Sequence, residues 1–380
     1  MIRTIALVLA ALHALPALAT ASGPDNPPRV EVCFVLDTTG SMSGLIEGAK
    51  AKIWSIANQM VETKPAPRLS IGLVGYRDLG DDYVTKLFDL TEDIDAVYAN
   101  LYEFRADGGG DTPESVNQAL HEAVSELSWS GERDVLKIIF LVGDCPPHMD
   151  YSDDVKYPDT CQRAVRKDLI INTIQCGDHT ATVPIWREIA SLGEGTYVAI
   201  GQTGDMQVIS TPMDARLSEL NVELGTTLVA YGSDETKHLV RAKQAAAEAA
   251  PSAVAADRMV FNAKTGVVVQ GGGELIKDLE DGTVRLEELK DADLPEELRK
   301  ADAAERQRIV KEKATKRQQV QAEINDLLKQ RQDYIAAETA RLAREGKGSV
   351  FDVKVNEMLR EQARRKGMTY ESGSPSGGDE

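Results

Sequence analysis

The sequence predicts an α/β protein: a doubly wound, mostly parallel six-stranded sheet with one antiparallel edge strand, followed by a mainly helical C-terminal region. Three observations predict it. Short apolar runs of strand length recur between residues 30 and 200. Amphipathic stretches with helical spacing separate most of them. Beyond residue 293 the chain becomes a long charged segment with helix-forming composition. Continuous apolar strands alternating with amphipathic helices belong to a sheet covered on both faces.

The first strand is "VEVCFVL" (30–36), and a helix follows over 44–62, striped by Ile46, Ala49, Ile53, Ile56, Ala57 and Met60. "RLSIGLVGY" (68–76) and "VTKLFDL" (84–90) sit close together and read as a hairpin, which supplies the antiparallel edge. Ile94, Val97, Leu101 and Phe104 mark one helix; Val116, Leu120, Ala123, Val124 and Leu127 mark another, with Pro113 tolerated near its start. "VLKIIFLVG" (135–143), "LIINTIQC" (169–176) and "TYVAI" (196–200) complete the strands, with a helix over 182–192 before the last. A helix over 213–229 is expected to close this unit. The organisation is then an N-terminal leader (1–21), an α/β domain (29–230), a mixed α/β linker region (235–292) with strand-like pieces "RMVFNA" and "TGVVVQG", a long-helix region (293–369) and a disordered tail (370–380). In the long helix Val320, Ile324, Leu327, Tyr334 and Ile335 form a heptad interrupted at Arg331, which favours packing within the chain over a coiled-coil homodimer.

The formal net charge is -18 and the pI about 4.8. Such a chain repels nucleic acid and anionic lipid, so neither is expected as a partner. The leader carries Arg3, an apolar run and "ATA" before Ser22, the pattern of a secretory signal peptide. No later run is long enough to span a membrane, so a periplasmic or secreted location is expected.

The chemistry gathers at strand ends. "CFVLDTTGSMSG" (33–44) places Asp37, Thr39 and Ser41 at alternating positions just past a central strand, with Gly40 allowing a tight turn. "GGGDTPES" (108–115) places Thr112 before a helix, and "FLVGDCPPH" (140–148) places Asp144 at the tip of the other central strand. In a doubly wound sheet these ends meet at the switch point of strand order. Two carboxylates and three hydroxyls suit a hard, oxygen-seeking cation such as Mg²⁺, with Mn²⁺ or Ca²⁺ as alternatives. "GYRDLGDD" (75–82) ends on the same side, where Arg77 and Asp78 either line a partner surface or form a buried ion pair.

"DTTGSMS", the threonine of "GDTPE" and the aspartate closing the next apolar strand resemble a von Willebrand factor A domain with a complete metal-ion-dependent adhesion site, of the bacterial exported type, over about residues 29–230. Thr39 stands where the family usually has serine, and it keeps the hydroxyl. The resemblance implies that Thr39 and Ser41 bind Mg²⁺ directly, Thr112 directly or through water, and Asp37 and Asp144 mainly through water. It also implies that an acidic residue of a protein partner completes the ion's shell.

Of the four cysteines, Cys33 reads as a buried free thiol, and Cys161–Cys176 is the favoured disulfide. A zinc site at Cys145, His148, Cys176 and His179 is the alternative, from paired C-x-x-H spacing. No Ser-His-Asp or G-x-S-x-G arrangement and no phosphate loop appears, so a binding or scaffold module is expected rather than an enzyme. The alternatives are a structural envelope protein acting through its C-terminal helices and a metal-assisted hydrolase.

Overall fold

The computed structural model describes residues 27–110, 112–204, 206, 208–346 and 350–370. The expected signal peptide lies outside the described residues, as does all but the first residue of the expected tail.

Six strands form one sheet: β1 (Arg29–Asp37), β2 (Arg68–Tyr76), β3 (Thr85–Thr91), β4 (Leu136–Gly143), β5 (Leu169–Cys176) and β6 (Glu194–Ile200). Their spatial order is β3-β2-β1-β4-β5-β6, with β3 antiparallel at one edge and the other pairings parallel. The chain leaves β1 toward β2 on one side and returns to β4 on the other, so the order reverses between β1 and β4. Helices α1 (Ser43–Met60) and α2 (Ile94–Glu103) cover one face; α3 (Val116–Ser125), α4 (Tyr157–Arg166) and α5 (Thr182–Leu192) cover the other.

The two-residue period of β1 builds both cores at once. Val30, Val32, Phe34 and Leu36 enter the layer beneath α1 and α2, while Cys33 and Val35 enter the layer beneath α3 to α5. That is why the strand reads as an unbroken apolar run. β3 is only half-buried, as an edge strand should be.

Helix α6 (Asp214–Gly225) does not close this domain. Its Leu217, Leu220 and Leu224 pack instead in a separate core with α8 (Ser252–Thr265) and α11 (Ala303–Arg344). The helix that covers the remaining sheet surface beside α1 is α12 (Val350–Arg365), from the far end of the chain. Phe351, Val355, Met358, Leu359 and Ala363 enter the same core as α1. Gln362 and Asn172 of β5 exchange amide hydrogen bonds of 2.7 and 3.1 Å. Residues 201–346 are thus an excursion between the last strand and its covering helix.

The region expected to mix helix and strand over 235–292 is helical, with α7 (Asp234–Ala249), α8 and a short α9 (Leu275–Glu280). "RMVFNA" lies inside α8, which is buried on several sides and therefore reads as an apolar run that periodicity cannot distinguish from a strand. After the four-residue α10 (Glu296–Arg299), α11 packs within the chain through Arg317, Val320, Ile324, Leu328 and Arg331. The arginines belong to that seam. Arg317 grips Glu274 at 2.7 and 2.8 Å, and Arg331 reaches Asp214 at 2.8 Å and Asp257 at 2.7 Å. Arg258 of α8 ties the excursion to α2 through a bidentate pair with Asp95 at 2.6 and 2.9 Å.

Candidate metal centre

β1 runs directly into a turn that its own side chains shape. Asp37 Oδ1 accepts from the Thr39 N–H at 2.8 Å and from the Thr39 hydroxyl at 2.6 Å. An aspartate bonded two residues ahead is a strong local turn former. The chain then makes one 3₁₀ turn over Gly40–Met42 and enters α1. Thr39 Oγ1 lies 3.3 Å from Ser41 Oγ. The loop is held against the one before α3: Gly40 N–H donates to Gly108 O at 3.2 Å, and Asp107 N–H donates to Thr38 O at 3.1 Å.

Two glycines make the close approach possible. Gly109 sits at φ +74°, and a Cβ there would meet Thr39 Cβ at 2.7 Å. A Cβ on Gly143 would meet the Tyr76 hydroxyl at 2.3 Å and crowd Asp37. Gly143 leads into Asp144, whose Oδ2 accepts from Gln202 Nε2 at 2.8 Å. Gln202 also reaches the Ser41 carbonyl at 3.3 Å, so one amide from the end of β6 spans two of the loops.

Thr39, Ser41, Thr112 and Asp144 line one cleft of about 310 Å³. Asp37 lies beneath it, fully buried and bonded to Thr39. All five residues singled out from the sequence therefore gather at one place. Asp37 Oδ2 and Asp144 Oδ1 are buried and have no hydrogen-bond partner. Burial and the facing Asp144 charge push the Asp37 carboxyl up to about 7. Buried polar atoms are ordinarily satisfied, so two neighbouring orphan carboxylate oxygens call for a positive species beside them. With three hydroxyls at hand, the donor set fits a hard divalent cation.

Three residues here carried no earlier role. Glu114 lines the cleft, is 2% exposed, and its Oε2 is a third orphan. Burial first, and then the charges of Asp37, Asp78, Asp81 and Asp144, push it up to about 9. Its only signal in the sequence was an acidic residue at a helix start, a common arrangement with no ligand attached. The fully buried Tyr76 hydroxyl is also unpartnered. Gln202, in an exposed polar loop, gave no signal.

Other expectations need correction. Arg77 and Asp78 neither line the surface nor pair with each other. Arg77 donates to the Arg105 carbonyl at 2.8 Å and lies over the Tyr83 ring, while Asp78 accepts from Ser115 at 2.7 Å and Tyr151 at 2.9 Å. All four cysteines are free thiols. Cys161 and Cys176 lie in core layers on opposite faces of the sheet, so no disulfide joins them. The zinc set is scattered for a related reason. Cys176 is in the core, His148 turns to Asp150 at 2.8 Å, and only Cys145 and His179 reach the cleft.

A doubly wound sheet with an oxygen-rich cleft at its switch point defines a class of α/β domain that presents its ligand site at strand ends. Residues 31–200, somewhat under half of the chain, match the model of the von Willebrand factor A domain family. A mimivirus protein (Acanthamoeba polyphaga mimivirus) named as ariadne-like RING finger is 23% identical over 233 residues, 55% of this chain and 22% of its own length. The von Willebrand factor A domain-containing protein 7 of Rattus norvegicus is 36% identical over 124 residues, 31% of this chain and 13% of its own. This chain thus spans about a fifth or less of these relatives. Among solved structures, the SpRpn10 VWA domain aligns with a TM-score of 0.35 at 16% identity, covering 46% of this chain and 89% of that one. Proximal thread matrix protein 1 from the mussel byssus, with a zinc-occupied MIDAS motif, aligns with a TM-score of 0.36 at 16% identity over 46% of this chain and 42% of that one.

Proposed function

We propose that this protein is an exported, metal-dependent protein-binding module rather than an enzyme. Asp37, Thr39, Ser41, Thr112 and Asp144 would hold Mg²⁺, or Mn²⁺ or Ca²⁺ in its place, and an acidic residue of a protein partner would complete the shell. The observation that carries this reading is the pair of buried, unpartnered oxygens, Asp37 Oδ2 and Asp144 Oδ1, beside a cleft lined by the hydroxyl residues Thr39, Ser41 and Thr112. When bound, the ion supplies a fixed positive charge with a coordination position open to an outside oxygen. The chain's own contribution is orientation. Asp37 is locked by Thr39, and Asp144 by Gln202. The nearby histidines favour binding over hydrolysis, since His179 Nδ1 is engaged with Thr182 at 2.9 Å and His148 with Asp150. Export is proposed from the signal-like leader.

The test uses Mn²⁺ as a probe. Solvent-water relaxation of the Mn²⁺-loaded protein should fall saturably as acetate is added and stay unchanged with acetamide, because a carboxylate replaces bound water. No response to acetate at saturating Mn²⁺ would refute the open-shell reading.

A further inference from the structure

A second groove lies where the excursion meets the α/β domain, lined by α1, α8 and α11. It encloses about 440 Å³, within the range of small-molecule sites, which favour such junctions. Side chains three or four residues apart share a helix face, and α1 and α11 each turn an amide-bearing face to this groove. Asn58 and Gln59 come from α1, and Asn325 and Gln332 from α11. Asn58 is 7% exposed. Its Nδ2 donates to the Asp257 carbonyl at 2.8 Å, while its Oδ1 is buried with no partner. Among the described residues the side chains of Gln59, Asn325 and Gln332 make no hydrogen bond within the chain. Val260, Leu328 and Ile335 add apolar surface to the same groove. The charged groups there are spent on one another. Arg331 pairs with Asp214 and Asp257, and Lys264 donates to the Asn58 carbonyl at 3.1 Å and faces Glu62 at 3.7 Å. Lys329 is the unpaired cation among the described lining residues, and it is exposed. An anion would therefore meet no free guanidinium fork. A nucleobase would find no aromatic ring to stack on among the described lining residues.

We propose that this groove binds a neutral saccharide, with its hydroxyls held by the four amides and its C–H faces laid on Val260, Leu328 and Ile335. Each amide offers both a donor and an acceptor, which is what a run of neighbouring hydroxyls requires. The apolar side chains answer the other face of a sugar ring, and the balanced charge favours an uncharged ligand. Asn325 also lines an adjoining cleft of about 180 Å³, which gives a second sugar unit a place to extend. Ala263 lines both clefts and leaves the passage open by its small size. None of these residues lines the metal cleft, so the saccharide site stands apart from the metal reading.

The experiment is saturation-transfer NMR on the full chain in chelator, titrated separately with maltose, cellobiose, trehalose and N,N′-diacetylchitobiose, and with a capped tetraglycine as the peptide control. Wild type is compared with Asn325→Ala/Gln332→Ala, which removes two amides, and with Ala263→Trp, which fills the passage. Asn325 and Gln332 sit at exposed helix positions, where alanine favours the helix and folding is retained. The expected result is saturable transfer to at least one disaccharide in wild type, an affinity about tenfold weaker or more in the double alanine variant, and loss of transfer in Ala263→Trp. The same result in the presence of Mg²⁺ is expected, because the site needs no metal. Transfer to none of the four sugars would overturn the proposal. Equal affinity in wild type and both variants would overturn it too, since the sugar would then bind elsewhere. Transfer to the peptide without transfer to any sugar would overturn it in favour of a peptide groove.

Discussion

Replacing Asp37 with asparagine should stabilise the metal-free protein while removing its response to metal. Asp37 is 0% exposed, and its ionised form faces Asp144 across a desolvated gap. Its carboxyl moves from an ordinary 3.8 to about 7 on folding, which corresponds to ~4 kcal/mol opposing the ionised, metal-free folded state. The sign follows from linkage. The folded state holds this proton more tightly than the unfolded chain does, so the stabilisation is fully present below pH 3.8 and is lost as pH rises through about 7. Asparagine keeps an oxygen to accept from Thr39 and carries no charge. At pH 8 in chelator, Asp37→Asn should therefore melt roughly 10 °C above wild type, at about 2–4 °C per kcal/mol. The gap should shrink steadily toward pH 4. Added Mg²⁺ should raise the wild-type midpoint and leave the variant unmoved. The assay is a thermal melt followed by circular dichroism over a pH series. An Asp37→Asn protein melting below wild type at pH 8 would refute the reasoning, because Asp37 would then act as a net stabilising turn residue.

Three further outcomes follow from particular contacts. Gln202→Ala removes the donor to Asp144 Oδ2 and should weaken Mn²⁺ binding about tenfold or more in a calorimetric titration, with metal-free melting little changed because the side chain is exposed. Asp95→Ala leaves Arg258 buried and unpaired, so chemical denaturation should show a loss of about 3–5 kcal/mol, much of it recovered in Asp95→Leu/Arg258→Met. Thiol titration of the protein unfolded without reductant should count four free cysteines, and a count of two would restore the disulfide.

Much of the domain was legible because a parallel sheet buried on both faces writes its strands as apolar runs. The expected 68–76 and 169–176 coincide with β2 and β5. Asp37, Thr39, Ser41 and Asp144 were legible because each sits within a few residues of a strand end, and strand ends share a face, whereas Thr112 was legible from its place just before a helix. What failed depended on which face a residue takes. Cys176 has the parity of Ile174, in the layer beneath α1, whereas Cys161 rides on α4 across the sheet. The role of α12 could not be read, because an amphipathic helix does not declare which surface it covers. Arg331 looked like a break in the heptad, yet the structure makes it a seam residue through the carboxylates of Asp214 and Asp257. Glu114 was hidden for the same reason: only a fold reveals that a carboxylate has no counter-charge.

The most direct test of the central claim is isothermal titration of the chelator-treated chain with Mg²⁺ and Mn²⁺, beside Asp37→Ala. Saturable binding in wild type that disappears in Asp37→Ala is the predicted result. Absence of binding in wild type, or binding unchanged in the variant, would contradict a metal centre at Asp37, Thr39, Ser41, Thr112 and Asp144.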